Sequence, residues 1–337
     1  MSETLTARVI SQYNELYKVS LEGADLLAEV SGKYRHATSR LEDYPAVGDY
    51  VKLRKESSDT DRLIIEEVLP RKSVFKRMAV SSGDQSQVIA ANVDILFVCM
   101  ALNEDYSINR LERYLSAAWE SGSTPVIILT KADLAENLEA SVSEVSSIAF
   151  GVDVLITSLD DESSFAAVAR YIDEETTASF VGSSGIGKST IVNHLLGYDA
   201  IATADTRQDG KGRHTTTRRE LFVLDNGGAI IDTPGMREFG LDSANLTKSF
   251  SDIESLAQQC KFGDCTHESE PGCAIKQALE EGRLDERRMA SYQKLKKELG
   301  YEGLNSRQIE EMKIKTMVGS FNEMKAVRNH VKKKNAR

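Results

Sequence analysis

Three glycines and a lysine in this chain stand at the spacing that binds nucleotide phosphates. The segment fits G-x-x-x-x-G-K-[S/T], with an apolar run before it and a helix-compatible run after it. Its residues are Gly182, Ser183, Ser184, Gly185, Ile186, Gly187, Lys188, Ser189 and Thr190. The glycines let successive N–H groups turn toward an anion, and the helix N-terminus adds partial positive charge. We expect Lys188 to reach the β- and γ-phosphates and the Ser189 hydroxyl to bind Mg²⁺; the alternative is a glycine-rich turn without a ligand.

A second loop, from Asp232 to Gly235, follows the apolar run 229–231. An aspartate at the end of such a strand can hold Mg²⁺ through water, and the Gly235 N–H can approach a γ-phosphate. This loop is therefore predicted to distinguish a nucleoside triphosphate from a diphosphate. The pattern D-x-x-G is common as a plain turn, so the prediction depends on its pairing with the glycine loop.

Between these two loops, the segment 210–217 contains a histidine and three threonines. One threonine can supply a hydroxyl to Mg²⁺, as the first switch loop of GTPases does; we select Thr216, with Thr215 and Thr217 as alternatives. The residue after the D-x-x-G loop is a methionine, whose thioether cannot orient water. His214 is therefore the candidate to position or deprotonate the attacking water. The alternative for His214 is a loop side chain that contacts RNA or solvent.

Residues that could read a guanine base occur earlier in the chain, at the ends of two apolar runs. The Asp133 carboxylate can accept hydrogen bonds from guanine N1–H and N2–H₂, which adenine does not present. The stem of Lys131 is expected to pack along the base, and the Ser158 N–H to reach guanine O6. Thr130 stands where GTPases usually have asparagine, so a side-chain amide is lost at this position.

The order of these motifs is reversed relative to an ordinary GTPase, in which the phosphate loop comes first. Here the base-reading Asp133 precedes the phosphate-binding Lys188, which predicts a circularly permuted GTPase domain. Permutation changes connectivity but can leave a packed sheet intact, because domain termini often lie close together at the surface. It also attaches the segment after residue 245 directly to the loop that responds to hydrolysis.

Three cysteines and a histidine lie within fourteen positions: Cys260, Cys265, His267 and Cys273. Three thiolates and one imidazole form a ligand set for tetrahedral Zn²⁺ in a closed structural site. We therefore expect one structural zinc ion, which would stabilise a C-terminal unit with little apolar content. The alternative is reduced cysteines packed in a small core.

The elements that must position these residues divide the chain into three predicted domains. Short strands within residues 1–70 predict a small β-barrel, an OB-fold that could bind RNA; they lie at 7–10, 16–21, 26–30, 49–53 and 63–68. Alternating strands and helices in 71–245 predict a doubly wound α/β domain, with the basic segment after Pro70 as a linker. Residues 246–337 are predicted to form a zinc-binding, mostly helical domain with a basic tail.

Composition and charge favour a globular protein of the cytoplasm. Of 337 residues, 41% are hydrophobic and 28% charged. No apolar run approaches the roughly 20 residues of a membrane span, and residues 1–9 lack a signal-peptide pattern. The four cysteines do not suggest a disulfide framework. A net charge of −10 argues against attraction of nucleic acid to the whole surface, but local basic patches occur at 71–77, at 207–219 and in the tail.

With these motifs in place, the chain resembles the ribosome-small-subunit-dependent GTPase family (RsgA/YjeQ) over nearly its full length. Besides the permuted GTPase loops and the cysteine–histidine cluster, the matching motifs are Gly48-Asp49, Pro70-Arg71-Lys72-Ser73, Ala91-Asn92-Val93-Asp94 and Gly212-Arg213-His214-Thr215-Thr216-Thr217. The resemblance implies a slow GTPase, stimulated by the small ribosomal subunit and acting late in the maturation of that subunit. It also implies that the barrel and the zinc unit contact ribosomal RNA.

The sequence therefore predicts hydrolysis of GTP to GDP and phosphate by a Mg²⁺-dependent switch. We expect a monomer that works with the small ribosomal subunit and its RNA, without a membrane. Two alternatives stay open at this point. One is a non-enzymatic RNA-binding adaptor in which nucleotide and zinc are structural. The other is a permuted GTPase that serves the large subunit or zinc delivery.

Overall fold

The structure is a computed structural model, and it describes residues 5–13, 15–55, 63–78, 86–201, 219–232, 249–263, 265–267 and 270–299. In this part of the chain, three units follow one another: a barrel, a mixed sheet flanked by helices, and a C-terminal group of helices. None of the helices described is long and apolar enough to cross a membrane.

The N-terminal strands close into a five-stranded barrel. They are β1 (Leu5–Tyr13), β2 (Leu16–Leu21), β3 (Ala24–Val30), β4 (Tyr50–Lys55) and β5 (Leu63–Val68). They pair in the order β1-β2-β3-β5-β4, and β1 also pairs with β4 to close the ring. Successive side chains of a strand face opposite sides, so alternate residues such as Val9, Val19 and Leu53 fill the barrel. Helix α1 (Gly32–Ala37) follows β3, and the Ser31 hydroxyl caps it by accepting the Tyr34 N–H at 2.9 Å. The predicted barrel is confirmed.

The interpretation of the basic segment after Pro70 as a linker is wrong. Val74–Met78 forms strand β6, which pairs antiparallel with β7 (Ser86–Ala91). Arg71 is directed inward, and its guanidinium donates hydrogen bonds of 2.8 and 2.7 Å to the two carboxylate oxygens of Asp49. The segment therefore joins the barrel to the next unit through a defined ion pair.

Among the residues described, the central sheet contains six strands: β8 (Ile95–Ala101), β9 (Thr124–Thr130), β10 (Val154–Ile156), β11 (Thr177–Val181), β12 (Glu220–Val223) and β13 (Ala229–Asp232). Their order is β10-β9-β8-β11-β13-β12, and only β12 runs antiparallel to its neighbour β13. Because β11 lies between β8 and β13, the two halves of the chain that the motif order predicts to be swapped lie side by side in one sheet. This places the glycine loop after a central strand.

In the part of this unit that the structure describes, four helices cover the two faces of the central sheet: α2 (Ile108–Ser121), α3 (Leu138–Ile148), α4 (Ser163–Ala169) and α5 (Lys188–Leu196). One apolar cluster includes Leu111 of α2 and Val145 of α3. A second cluster includes Phe165 of α4 and Ile191 of α5. The near-continuous apolar strands are explained by burial on both faces, which is the property of a doubly wound sheet.

The C-terminal helices are α6 (Ser251–Ala257), α7 (Ala274–Glu280) and α8 (Glu286–Leu299). They enclose an apolar core that includes Phe250, Ile253, Ile275 and Tyr292. The expectation that this unit has little apolar content is therefore wrong, because it buries apolar side chains; its stabilisation by a metal stays a prediction. The sequence does not reveal this core, because the hydrophobic residues of α8 are spaced along one face of a highly charged helix.

Both outer units are attached to the central sheet by specific contacts. Strand β1 of the barrel pairs with β12 at Ser11 and Glu220, so barrel and central strands form one continuous sheet. On the other side, Arg288 of α8 donates a hydrogen bond of 2.7 Å to Glu112 of α2, and both side chains are buried. The same guanidinium also binds Asp252.

Candidate functional site

The turn from β11 to α5 has the backbone conformation that a phosphate loop needs. Gly182, Gly185 and Gly187 have φ angles of 146°, 77° and 101°, which favour glycine. At Gly182, an added Cβ would lie 2.5 Å from the Cys99 carbonyl oxygen and 2.2 Å from Ile186 Cδ1. The loop ends at Lys188, the first residue of α5, so the positive end of that helix faces it.

Lys188 folds over this loop, where its ammonium donates to the carbonyls of Gly182 and Ser183 at 2.7 and 2.6 Å. Asp232 ends β13, the parallel neighbour of β11, and is close enough to interact with Lys188. Burial raises the pKa of Asp232 to about 6; Lys188 opposes this rise and Glu220 adds to it. Ser189 lies in the first turn of α5. The Lys188 ammonium, the Ser189 hydroxyl and the Asp232 carboxylate therefore belong to the same edge of the sheet.

The residues predicted to read guanine lie at the ends of β9 and β10. Lys131 has a φ angle of 56° and begins a short 3-10 turn, Ala132–Leu134, that presents Asp133 to solvent. The Ser158 hydroxyl donates to Asp133 Oδ1 at 2.7 Å, so these two residues meet although they lie 25 positions apart. The Ser158 N–H is 3.3 Å from Ser164 Oγ, and its proposed contact with guanine O6 stays a prediction.

Thr130 joins the base-reading loop to the phosphate loop. Its hydroxyl donates to the Ile186 carbonyl at 2.6 Å, and the side chain is 3% exposed. Thr130 lacks the side-chain amide of the usual asparagine. Its hydroxyl nevertheless makes a direct hydrogen bond between the two loops. The contact brings the two halves of the predicted nucleotide site together.

Arg110, near the start of α2, also contacts the phosphate loop. Its Nη1 donates to Ser183 Oγ at 2.7 Å. No motif in the sequence indicates this contact, since Arg110 is one of several charged residues on an amphipathic helix. Its position relative to the loop depends on how α2 packs on the sheet.

Several predicted residues lie outside the part of the chain that the structure describes. These are Thr216 with its alternatives Thr215 and Thr217, the candidate water-activating residue His214, and Gly235. Their roles therefore remain predictions from the sequence.

The four residues of the cysteine–histidine cluster meet in the C-terminal unit. The potential ligand atoms of Cys260, Cys265, His267 and Cys273 all lie within 4.8 Å of one another, so this cluster could hold a metal ion. His267 Nδ1 is 3.6 Å from the sulfur of Cys260 and 3.5 Å from that of Cys273. Cys273 is also the N-cap of α7, which ties the cluster to the helical core.

Comparison with known proteins agrees with this architecture. The family model described as RsgA GTPase matches residues 68–242. The chain is 45% identical over 325 residues to "Small ribosomal subunit biogenesis GTPase RsgA 2" of Lactiplantibacillus plantarum, a match covering 96% of this chain and 92% of that protein. It is 44% identical over 301 residues to RsgA 1 of Oceanobacillus iheyensis, which covers 88% of this chain and 86% of the relative.

Two solved structures share the fold. The crystal structure of YjeQ from Thermotoga maritima matches with a TM-score of 0.66 and 25% identity, over 88% of this chain and 99% of that chain. YloQ, described as a circularly permuted GTPase, matches with a TM-score of 0.63 and 25% identity, over 88% of this chain and 96% of that chain. The predicted permuted fold is therefore confirmed.

Proposed function

We propose that this chain, which belongs to the RsgA GTPase family and is a GTP hydrolase, acts on the small ribosomal subunit. The relatives named above are small-subunit biogenesis GTPases, and the match extends over nearly the whole of this chain. In this role, the GTP form would bind the subunit and hydrolysis would release the protein. The cytoplasm is the compartment we expect, with the protein acting as a monomer.

The contact that best supports one nucleotide pocket is the hydrogen bond from the Thr130 hydroxyl to the Ile186 carbonyl. It joins a loop with a guanine-type acceptor, Asp133, to a loop with an ammonium, Lys188. GTP then has its base at one end and its phosphates at the other. The earlier part of the chain, with Asp133, and the later part, with Lys188, therefore contribute to one nucleotide pocket.

We assign the residues of this pocket as follows. Lys188 and the N–H groups of the glycine loop bind the phosphates and stabilise their developing charge. Mg²⁺ bound with GTP would supply further charge neutralisation, held by Ser189, Thr216 and Asp232. Lys131, Asp133 and Ser158 read guanine. Gly235 responds to the γ-phosphate, and His214 positions the attacking water.

The cysteine–histidine cluster suits a structural zinc ion. Tetrahedral zinc, with Zn–S bonds of about 2.3 Å and Zn–N bonds of about 2.0–2.1 Å, holds its ligand atoms about 3.5–3.8 Å apart. The sulfurs of Cys260 and Cys273 are 3.9 Å apart, and each lies 3.5–3.6 Å from His267 Nδ1. Zinc at this site would hold the segment before α7 against the helical core. A closed set of four protein ligands favours a structural role over zinc delivery.

For the domain boundaries we propose 1–70, 71–245 and 246–337. The barrel strands end at Val68, and α6 begins at Ser251. We expect the barrel and the zinc unit to contact ribosomal RNA, as the resemblance to the small-subunit GTPases implies. The basic tail would add charge for this interaction.

The decisive experiment is GTP hydrolysis by the purified protein with and without isolated small and large ribosomal subunits. We expect a low basal rate that only small subunits increase. An unstimulated rate would contradict the ribosomal role, and stimulation by large subunits would favour the alternative partner. The Asp133→Asn variant is expected to shift preference from GTP to xanthosine triphosphate, because an amide then faces the base. Unchanged GTP preference would contradict the assignment of Asp133.

A further inference from the structure

We propose that Arg110 of α2 is a positioning residue for the phosphate loop. It holds the side chain of Ser183 and thereby keeps the loop in the conformation that receives GTP. This inference deepens the proposed function and rests on it, because it assumes that the glycine loop binds phosphates. Arg110 acts through Ser183 and is not assigned a contact with the nucleotide.

The contact has the geometry of a strong hydrogen bond. Arg110 Nη1 lies 2.7 Å from Ser183 Oγ, across 73 positions of sequence. The same nitrogen is 3.4 Å from the Asp105 carbonyl, in the turn that precedes α2. Both Arg110 and Ser183 are half-buried, so water competes for this bond less than at an exposed site. A hydrogen bond with an ionised donor is stronger than one between neutral groups.

Ser183 is held by two cations that use different atoms. Lys188 binds its carbonyl at 2.6 Å, whereas Arg110 binds its hydroxyl. Lys188 has three N–H donors, and those that bind the phosphates of GTP are no longer available to the loop carbonyls. The bond from Arg110 does not use the loop's backbone and can persist. Arg110 is therefore the side chain that can restrain Ser183 both before and after GTP binds.

Helix α2, which carries Arg110, is held in place by contacts on two sides. Leu111, the next residue, is fully buried in the core beneath the sheet. Glu112, one position further, accepts a hydrogen bond of 2.7 Å from Arg288 of α8, and both side chains are at least 93% buried by surface area. Because α2 is held by the sheet on one side and by the C-terminal unit on the other, Arg110 can fix the loop and does not merely follow it.

Removal of the guanidinium should weaken nucleotide binding more than chemistry. We expect Arg110→Ala to speed the release of fluorescently labelled GDP about tenfold and to raise KM for GTP by a similar factor. We expect kcat to change by less than about twofold, since a restraint on the loop contributes equally to ground-state and transition-state binding. Arg110→Lys keeps a cationic donor and should recover part of the loss.

A double-mutant cycle with Ser183→Ala tests the contact directly. Each single variant should show the same faster release, and the double variant should be no worse than either, because both remove one bond. Arg113→Ala is the matched control: this arginine lies about one turn further along α2 and lines the groove facing α8. A wild-type release rate for Arg110→Ala, or losses that add in the double variant, would overturn the proposal.

Two further measurements separate this proposal from the proposed function. Lys188→Ala should abolish GTP binding; if it binds GTP normally, the phosphate-loop assignment fails and Arg110 loses its role with it. If Lys188→Ala loses binding while Arg110→Ala does not, only the positioning role is wrong. Thermal unfolding and metal content of each variant identify a folding defect. Should Arg110→Ala fold poorly, Ser183→Ala, which removes only the hydroxyl, still gives the same test.

Discussion

At the scale of single residues, Thr130 shows how a changed side chain can preserve a structural connection. A threonine lacks the amide of the usual asparagine, and the sequence alone therefore suggests a weakened base-reading loop. In the structure, its buried hydroxyl reaches the Ile186 carbonyl at 2.6 Å. The shorter side chain suffices because the end of β9 lies next to the phosphate loop. The bond thus links the loop of Asp133 to the glycine loop.

Thr130→Val tests this link, since valine keeps the branched shape but cannot donate a hydrogen bond. Loss of the bond leaves the Ile186 carbonyl without this partner, at a cost of about 1–2 kcal/mol. We therefore expect GDP affinity to fall about tenfold, measured by fluorescence titration. Thr130→Ser retains the hydroxyl and serves as the control. Equal affinities for the valine and serine variants would refute the role of the bond.

Asp232 gives a pH-dependent prediction for the protein without nucleotide or Mg²⁺. Burial, the largest cause, raises its pKa to about 6. Between the ordinary carboxyl pKa and this value, the folded state binds a proton that the unfolded state does not. The contribution of this group to stability therefore decreases as pH rises through about 4 to 6.

We expect Asp232→Asn, which cannot ionise, to be more stable than the wild type at pH 7.5 by up to about 3 kcal/mol. The difference should disappear near pH 4, where both side chains are neutral, and thermal unfolding at the two pH values measures it. The same variant should lose Mg²⁺-dependent GTP hydrolysis. A variant less stable than the wild type at pH 7.5 would show that the carboxylate is not strained by burial.

At the scale of elements, the unit β11–loop–α5 combines a local pattern with a neighbour that the pattern does not reveal. The glycines alone predict the turn, because only glycine adopts these φ angles readily. The need for glycine at position 182 has a second cause, which is the close approach of the Cys99 carbonyl from β8. The φ angle of the loop and the packing against β8 therefore both require glycine at position 182.

Gly182→Ala should be more harmful than Gly185→Ala. At position 182 the new Cβ would meet the Cys99 carbonyl oxygen at 2.5 Å, whereas at position 185 nothing lies within 4 Å. The first change should cost about 1–3 kcal/mol from overpacking, in addition to backbone strain, and should abolish GDP binding. The second should cost only the strain of a left-handed residue, about 1–2 kcal/mol. Urea unfolding compares them, and equal losses would exclude the steric cause.

At the scale of the whole molecule, the segments Gly48-Asp49, Pro70–Ser73 and Ala91–Asp94 form the joint between the barrel and the central sheet. Asp49 is fully buried and accepts two of the hydrogen bonds that the Arg71 guanidinium donates. The Asn92 amide donates to the Gly48 carbonyl at 3.1 Å and its oxygen accepts the Lys72 N–H at 2.8 Å. These residues therefore fix the orientation of the barrel relative to the GTPase unit.

Arg71→Ala should loosen this joint severely. It leaves the Asp49 carboxylate buried without its main partner, at a cost of about 3–5 kcal/mol. Lys72→Ala removes the neighbouring cation, which is exposed and lies 3.7 Å from Asp94, and should leave stability nearly unchanged. Chemical denaturation measures both, and limited proteolysis reports release of the barrel. A small effect of Arg71→Ala would contradict a structural role and return this arginine to the basic RNA-binding candidates.

The sequence predicts the local features: the glycine loop before a helix, the short strands of the barrel, and the cluster of potential metal ligands. Each is a property of residues close together in the chain, where backbone preference and hydrophobic period act directly. It also revealed the swapped motif order, because the order of motifs is simply read along the chain. Charge in the segment after Pro70 does not show whether a side chain has a buried partner, so the sequence does not predict the ion pair of Arg71 with Asp49.

Contacts between residues far apart in the chain become evident only in the folded molecule. Thr130 and Ile186 are 56 positions apart, and Arg110 and Ser183 are 73 apart. Such contacts depend on the strand order of the sheet and on the packing of α2, where displacements of a few ångströms decide whether a hydrogen bond forms. A local sequence pattern does not specify these interatomic distances. The sequence thus gives the types of residue in the predicted site, and tertiary packing brings those residues together.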